Sequence, residues 1–237
     1  MKIASVNFYV FNKSPVRDLN RLERMGIDSI GFQEANRHFE LIEKELDRYK
    51  VVKARRSNGY GAREVAVAIH ERNEYLGHQG REVSDLDDGN ETKIFKSRWI
   101  TVVRFRGADG YRYCHINYHG NAVVQSKRTG KLLRNLERTK EWLDAAREIN
   151  RTVKNMQERG YRIIVTGDFN YRRIKRLENF KLDFWSPQRI FKRRKLDYFE
   201  RGLDYVAWSR PLKKKRVTII DAGTTGSDHP WIVVELV

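Results

Sequence analysis

Six short polar islands punctuate apolar runs in this 237-residue sequence: Asn7, Gln33-Glu34, His119, Gly167-Asp168-Phe169-Asn170, Asp204 and Ser227-Asp228-His229. Carboxylate and amide oxygens are hard ligands, suited to Mg2+ or Mn2+. Taken singly, most of the islands have ordinary explanations. A Gln-Glu pair is common on surfaces, a lone His is more often structural, and Gly-Asp-Phe-Asn is composed of turn formers. Asp204 is harder to dismiss, because it interrupts the apolar stretch Leu203–Trp208 and a buried carboxylate needs a partner. His115 and His119 are four apart, but a zinc pair of that spacing works on a helix with Glu after the first His. Here Ile116 follows, and the segment alternates as a strand does. Cys114 lies mid-strand and reads as a small packed hydrophobe.

The elements that must carry these islands can be read from periodicity. Residues 2–10 alternate as a strand, and Val16, Leu19, Leu22 and Met25 share a helical face that Gly26 ends. Ser29–Phe32 is a short strand. Phe39, Ile42, Leu46 and Tyr49 predict a second helix, and Val65, Val67 and Ile69 a strand. Trp99–Phe105 and Tyr111–Tyr118 pair around the turn Gly107-Ala108-Asp109-Gly110. A long helix covers about 127–158, followed by the buried strand Ile163–Val165. Residues 171–200 read as irregular, basic and aromatic, and strands follow near 203–208, 217–221 and 231–236. Strands match or outnumber helices without simple βαβα alternation. Mixed or stacked sheets flanked by helices therefore fit better than a doubly wound parallel sheet. The islands then fall at strand ends, where side chains of neighbouring strands converge.

Composition narrows the function classes. A hydrophobic share of 40% and 11% aromatics supply a core, so a wholly disordered chain is excluded. One cysteine excludes an internal disulfide framework and a multi-cysteine zinc site. No apolar run approaches the roughly 20 residues of a bilayer span, and the first residues read as a strand, not a signal peptide. Cytoplasm is the default location. The net charge is +17, which points to polyanionic partners. Basic residues cluster at Arg172, Arg173, Lys175 and Arg176, at Lys192, Arg193, Arg194 and Lys195, and at Lys213–Arg216. Aromatics interleave the first two clusters, which suits a phosphate backbone with bases stacking nearby.

In this order the islands are far more specific than singly. SVNFYVF, GFQEA, INYHGN, VTGDFN, GLDYVAW and GSDHPWIVVEL resemble the motifs of the endonuclease/exonuclease/phosphatase superfamily, which includes deoxyribonuclease I. The resemblance runs from residue 3 to the C-terminus. It implies an α+β fold, a four-layer α/β/β/α sandwich of two mixed, mainly antiparallel sheets, as one domain over 1–237 with a basic-aromatic insertion about 171–200.

The resemblance also implies roles. Glu34 would be the principal metal carboxylate, with Asn7 beside it on metal or phosphate and Asp228 helping to bind the ion. Asp168 and Asn170 would position the attacking water. His229 would pair with Asp204, and His119 would stabilise developing charge or act as general acid. Either Asp168 or the His229–Asp204 pair would take the water's proton. Softer expectations are Arg98 and Tyr60 as phosphate contacts. Independently of the resemblance, the basic clusters would place Arg172, Arg173, Arg176, Lys192, Arg193 and Arg194 along a nucleic-acid backbone. The sequence departs from the family at Val6, where many members carry Trp, and at His119, where the abasic-site repair branch usually has Tyr. The implied activity is a Mg2+- or Mn2+-dependent nuclease of low sequence specificity, with DNA before RNA as partner. The alternatives are a phosphatase of inositol phosphates or phospholipid headgroups and a non-catalytic nucleic-acid-binding protein. No protein partner can be inferred.

Overall fold

The structure, a computed structural model, describes residues 1–9, 11–54, 63–85, 97–120, 137–171 and 187–237, with residues 84, 85, 97, 98, 137 and 138 described by backbone alone. In chain order the elements are β1 (Lys2–Asn7), α1 (Pro15–Arg24), β2 (Ser29–Gln33), α2 (Phe39–Glu45), β3 (Tyr49–Val52), β4 (Ala66–His70), β5 (Glu74–Asp85), β6 (Ser97–Arg106) and β7 (Arg112–His119). There follow α3 (Glu137–Glu158), β8 (Arg162–Asp168), α4 (Pro187–Arg193), β9 (Leu196–Arg201), β10 (Asp204–Ser209), β11 (Lys214–Ile220) and β12 (Trp231–Leu236).

The strands form two six-stranded sheets. The first has the order β11-β12-β1-β2-β4-β3 and the second β5-β6-β7-β8-β10-β9. Each contains one parallel pair at its centre, β1 with β2 and β7 with β8, and antiparallel pairs elsewhere. The strand β1 reaches β2 through α1, whose start and stop are written locally. Pro15 occupies its first turn, where a missing N–H costs nothing, and Gly26 takes φ +55° just beyond its end.

Apolar alternation sorts side chains into three slabs. Ala4, Val6, Phe8, Ile30 and Phe32 leave the first sheet outward to meet Leu19 and Leu22 of α1 and Phe39 and Ile42 of α2. Cys114, Ile116, Ile163, Val165, Tyr205 and Ala207 leave the second sheet outward against Trp142, Ile149 and Val153 of α3 and Ile190 and Phe191 of α4. Between the sheets lie Ile3, Val67, Val103, Phe105, Ile164, Val206, Ile232 and Val234. The four-layer α+β sandwich expected from the sequence is the architecture found. Each fully buried Val, Ile or Phe contributes about 1.5–3 kcal/mol, so these slabs carry the fold.

Three local readings are corrected. Leu46 and Tyr49 do not extend α2: the helix ends at Glu45, Leu46 turns the chain, and Tyr49 opens β3. The strand β5 gave no sequence signal. Residues 187–201 are regular, forming α4 and the edge strand β9.

Candidate active site

The inward face of the sandwich changes character along its length. Ile3, Ser5 and Asn7 share one face of β1, and Ile164, Thr166 and Asp168 share one face of β8. At the opposite end from the site the inner residues are apolar. In the middle they form a buried polar network. The ring of His115 meets Ser29 Oγ at 2.5 Å and Thr166 Oγ1 at 2.7 Å, bridging the sheets. Asn117 donates to the carbonyls of Phe32 (2.6 Å) and Ala66 (2.9 Å) and accepts from Gln33 Nε2 at 2.6 Å. Gly31 admits this close approach: a Cβ there would lie 2.0 Å from Thr166 Oγ1 and 2.7 Å from Asn117 Oδ1.

At the near end, register brings the ionisable groups together. Asn7 pairs with Gln33 across the central parallel strands of the first sheet. His119 pairs with Asp168, and Asp168 with Asp204, across three consecutive strands of the second. Glu34 takes φ +55° directly after β2, a conformation uncommon for a non-glycine residue, and leaves the strand beside Asn7. Asn7 Nδ2 lies 3.2 Å from Glu34 Oε1 and 3.3 Å from Asp168 Oδ2, so it bridges two carboxylates from different sheets. Its oxygen accepts the Tyr9 amide at 3.1 Å. That bond turns the NH2 group toward the site, making Asn7 a donor there; a metal ligand would have to present oxygen.

Two imidazoles flank the carboxylates, each backed at Nδ1 by an acid. His229 Nδ1 is 3.0 Å from Asp204 Oδ2 and 3.7 Å from Asp168 Oδ2. Burial works against charging the His229 ring, but the bond and charge of Asp204, with Asp168 and Asp228 nearby, outweigh it and raise the ring from 6.5 to about 9. Burial raises the Asp204 carboxyl, the bond to His229 lowers it and Asp168 raises it again, with a net upward direction. The bond to Asp204 and the neighbouring carboxylates thus favour the charged form of the ring. His119 Nδ1 meets Glu64 Oε1 at 2.7 Å, while its Nε2 stands 3.9 Å from Glu34 Oε1 and 3.7 Å from Asp168 Oδ2. Glu64 was missed in the sequence, where it is one acid in the charged run before β4 with its partner 55 residues away.

Ligating atoms of Asp168, Asp204 and His229 lie within 4.8 Å of one another. Asp204 Oδ1 is buried with no hydrogen-bond partner among the described residues, an acceptor left for a water or another polar group.

No family model matches the sequence, and no curated protein matches it either. Solved structures do match. The mannosyl-6-phosphatase Bt3783 of Bacteroides thetaiotaomicron superposes with a TM-score of 0.70 at 15% identity, covering 100% of this chain and 99% of that one. An endonuclease/exonuclease/phosphatase from Bacteroides vulgatus gives a TM-score of 0.73 at 14% identity over 100% and 98% of the two chains. The chain has the endonuclease/exonuclease/phosphatase fold. TDP2 of D. rerio, solved with a single-stranded DNA product, matches with a TM-score of 0.65 at 15% identity over 99% and 97%.

Within this endonuclease/exonuclease/phosphatase fold, the remaining sequence candidates divide. Asp228 is exposed at the rim and adds charge to His229, but makes no hydrogen bond among the described residues. Its neighbour Ser227 is buried and ties the loop to β1, donating to the Asn7 carbonyl at 2.7 Å. Asn170, at φ +49°, donates Nδ2 to the Gly120 carbonyl at 2.8 Å and its backbone N–H to Asp168 Oδ1 at 2.8 Å. It holds the ends of β7 and β8 together and aims Asp168. Gln33 points into the polar network, not the site. Arg98 lies in β6 and is placed by its backbone only. Tyr60, Arg172, Arg173 and Arg176 lie outside the described residues. Lys192, Arg193 and Arg194 sit at the C-terminal end of α4, just before Leu196, which pairs with Ser209 at the far end of β10 from Asp204. Five strand steps of ~3.3 Å separate that end from Asp204, about 17 Å.

Proposed function

We propose that this chain is a divalent-metal-dependent phosphodiester hydrolase acting on nucleic acid, DNA first, with little sequence preference. The supporting observation is the convergence of Glu34 and Asp168, from opposite sheets, between two acid-backed imidazoles, His119 with Glu64 and His229 with Asp204. A net charge of +17 favours a polyanionic substrate. The hard-oxygen donors fit Mg2+ or Mn2+, which Glu34 and Asp168 would hold. Such an ion supplies Lewis acidity at a phosphoryl oxygen.

The chain's own groups supply the rest. Asp168, aimed by the Asn170 amide, is placed to orient and deprotonate a water. The imidazolium of His229 neutralises charge growing on the phosphate, and Asn7 Nδ2 donates to a phosphate oxygen. His119, its Nδ1–H held by Glu64, presents Nε2 to the leaving oxygen and protonates it when the ring is the imidazolium. A substrate panel tests the reading: plasmid, linear duplex, single-stranded DNA and RNA, each with Mg2+ and with chelator. The expected result is metal-dependent cleavage, reduced at least about 100-fold by Glu34→Ala or His229→Ala. Binding without turnover in any metal overturns it.

A second reading is a phosphatase of a small phosphate ester, favoured by the match to a mannosyl-6-phosphatase. Release of inorganic phosphate from sugar or inositol phosphates, with nucleic acid left intact, would establish that reading instead.

A further inference from the structure

Phe11 is 57% exposed, one of four large apolar side chains in that state among the described residues. A single exposed Phe needs no explanation on its own. Its surroundings are less ordinary. The Arg37 guanidinium lies over its ring at 4.8 Å, and the Tyr9 ring packs edge-on at 5.7 Å. Phe11 follows Asn7 by four residues, and Arg37 follows Glu34 by three. The two segments leaving these bonded site residues meet again in this cation–π pair.

The described residues Tyr9 and Asn12 are tied by hydrogen bonds. Tyr9 takes φ +57°, a left-handed conformation in an aromatic residue, and strain of this kind persists only where neighbours enforce it. The neighbours here are the Tyr9 N–H to Asn7 Oδ1 bond at 3.1 Å and the Asn12 N–H to Tyr9 carbonyl bond at 2.9 Å. Below them, buried Asn12 donates to the Phe8 carbonyl (3.2 Å) and to Asp18 Oδ2 (3.1 Å). Asp18 Oδ2 also accepts the Gly226 N–H at 2.7 Å, two residues from Asp228. One buried carboxylate thus anchors both the aromatic segment and the loop that carries His229.

We propose that Phe11, with Tyr9 and Arg37, is a stacking subsite for the nucleobase adjoining the scissile phosphate. The proposal rests on the nucleic-acid reading given above. An exposed aromatic ring accepts the π face of any base, and a guanidinium beside it adds planar stacking and positive charge. Such a subsite grips single-stranded or frayed ends without reading sequence.

The test uses the intact chain, with Phe11→Ala, Phe11→Trp and oligonucleotides that carry an abasic residue at each position flanking the cleavage point. Phe11→Ala should raise KM about 10-fold or more with a smaller change in kcat, and Phe11→Trp should restore it. An abasic residue at one flanking position should cost the wild type a similar factor and Phe11→Ala almost nothing. Equal abasic penalties in wild type and Phe11→Ala, or no change in Phe11→Ala, overturn the proposal. Binding of oligonucleotides containing 2-aminopurine, measured in chelator, separates this from the parent reading. Quenching that Phe11→Ala abolishes supports the subsite even if no nucleic acid is cleaved. Cleavage without such quenching overturns the subsite and leaves the nuclease reading standing. Relief of inhibition by a free sugar phosphate in Phe11→Ala, with no base effect, would assign the platform to a sugar ring and overturn it as well.

Discussion

Each imidazole at the site is held by a carboxylate that takes no other part in the proposed reaction. Asp204 is buried, and removing one member of a buried ion pair typically costs about 3–5 kcal/mol. In metal-free protein, NMR titration should find the His229 ring of Asp204→Asn well below its value of about 9, because burial then acts against a weaker opposing charge. An unchanged titration would show that Asp204 does not set the proton affinity of the pair. On the proposed reading, Glu64 acts through the His119 ring that it meets at Nδ1. For Glu64→Gln, kcat should fall about 10–100-fold while KM changes little, because the ring loses its orienting acceptor while the surface outside stays intact. A matching rise in KM with kcat preserved would make Glu64 a substrate contact instead.

Strands, more than helices, build the site, and their legibility followed their position in the sheets. Central strands β1, β8, β10 and β12 are buried along nearly their whole length, which writes dense apolar runs with a polar residue at one end. That is why Asn7, Asp168, Asp204 and His229 could be read as strand-end residues. The strands β3, β5 and β9 escaped notice, and all three are sheet edges. In β5, EYLGHQGREVSD spreads Tyr75, Leu76 and Val83 too thinly for a periodic signal. Near β3, Phe39, Ile42, Leu46 and Tyr49 carry helical spacing, yet the chain turns at Leu46. Glu64 was illegible because its meaning lies wholly in a tertiary partner.

The polar network beneath the site has consequences at the same scale. Burial lowers His115 to about 3, so the folded chain keeps the ring neutral where an unfolded chain, with an ordinary value of 6.5, takes up a proton. The unfolded state binds more protons in that window, so this contribution to stability is present above about pH 6.5 and is lost as pH falls toward 3. The loss approaches about 1.4 kcal/mol per pH unit. Denaturant titrations from pH 7 to 5 should show a shallower dependence in His115→Gln than in wild type. Gly31→Ala should destabilise by about 1–3 kcal/mol at neutral pH, since its methyl group would displace Thr166 or Asn117.

Among the described residues, the basic cluster at 213–216 sits away from the chemistry. Exposed Lys213 precedes β11 and exposed Lys214, Lys215 and Arg216 begin it, where Lys214 pairs with Leu236 at the end of β12 remote from His229. Replacing Lys214, Lys215 and Arg216 with Ser should leave turnover of a dinucleotide-sized substrate within about twofold of wild type. Binding of long duplex should become less salt-sensitive, by about 0.9 in the log–log slope for each phosphate no longer neutralised. Impaired turnover of the short substrate would show that the basic cluster and the site are not independent. The first sheet also joins distant parts of the chain: β12 lies between β1 and β11, and Trp231 Nε1 and Ser227 Oγ both donate to the Asn7 carbonyl. During translation, β1 leaves the ribosome more than two hundred residues before the neighbour that completes its ladder. A polypeptide halted before residue 227 would lack His229 and the clasp on Asn7 together. Shortened chains would therefore lack the site geometry described above, and on the proposed reading catalytic competence would arrive only with the final hairpin.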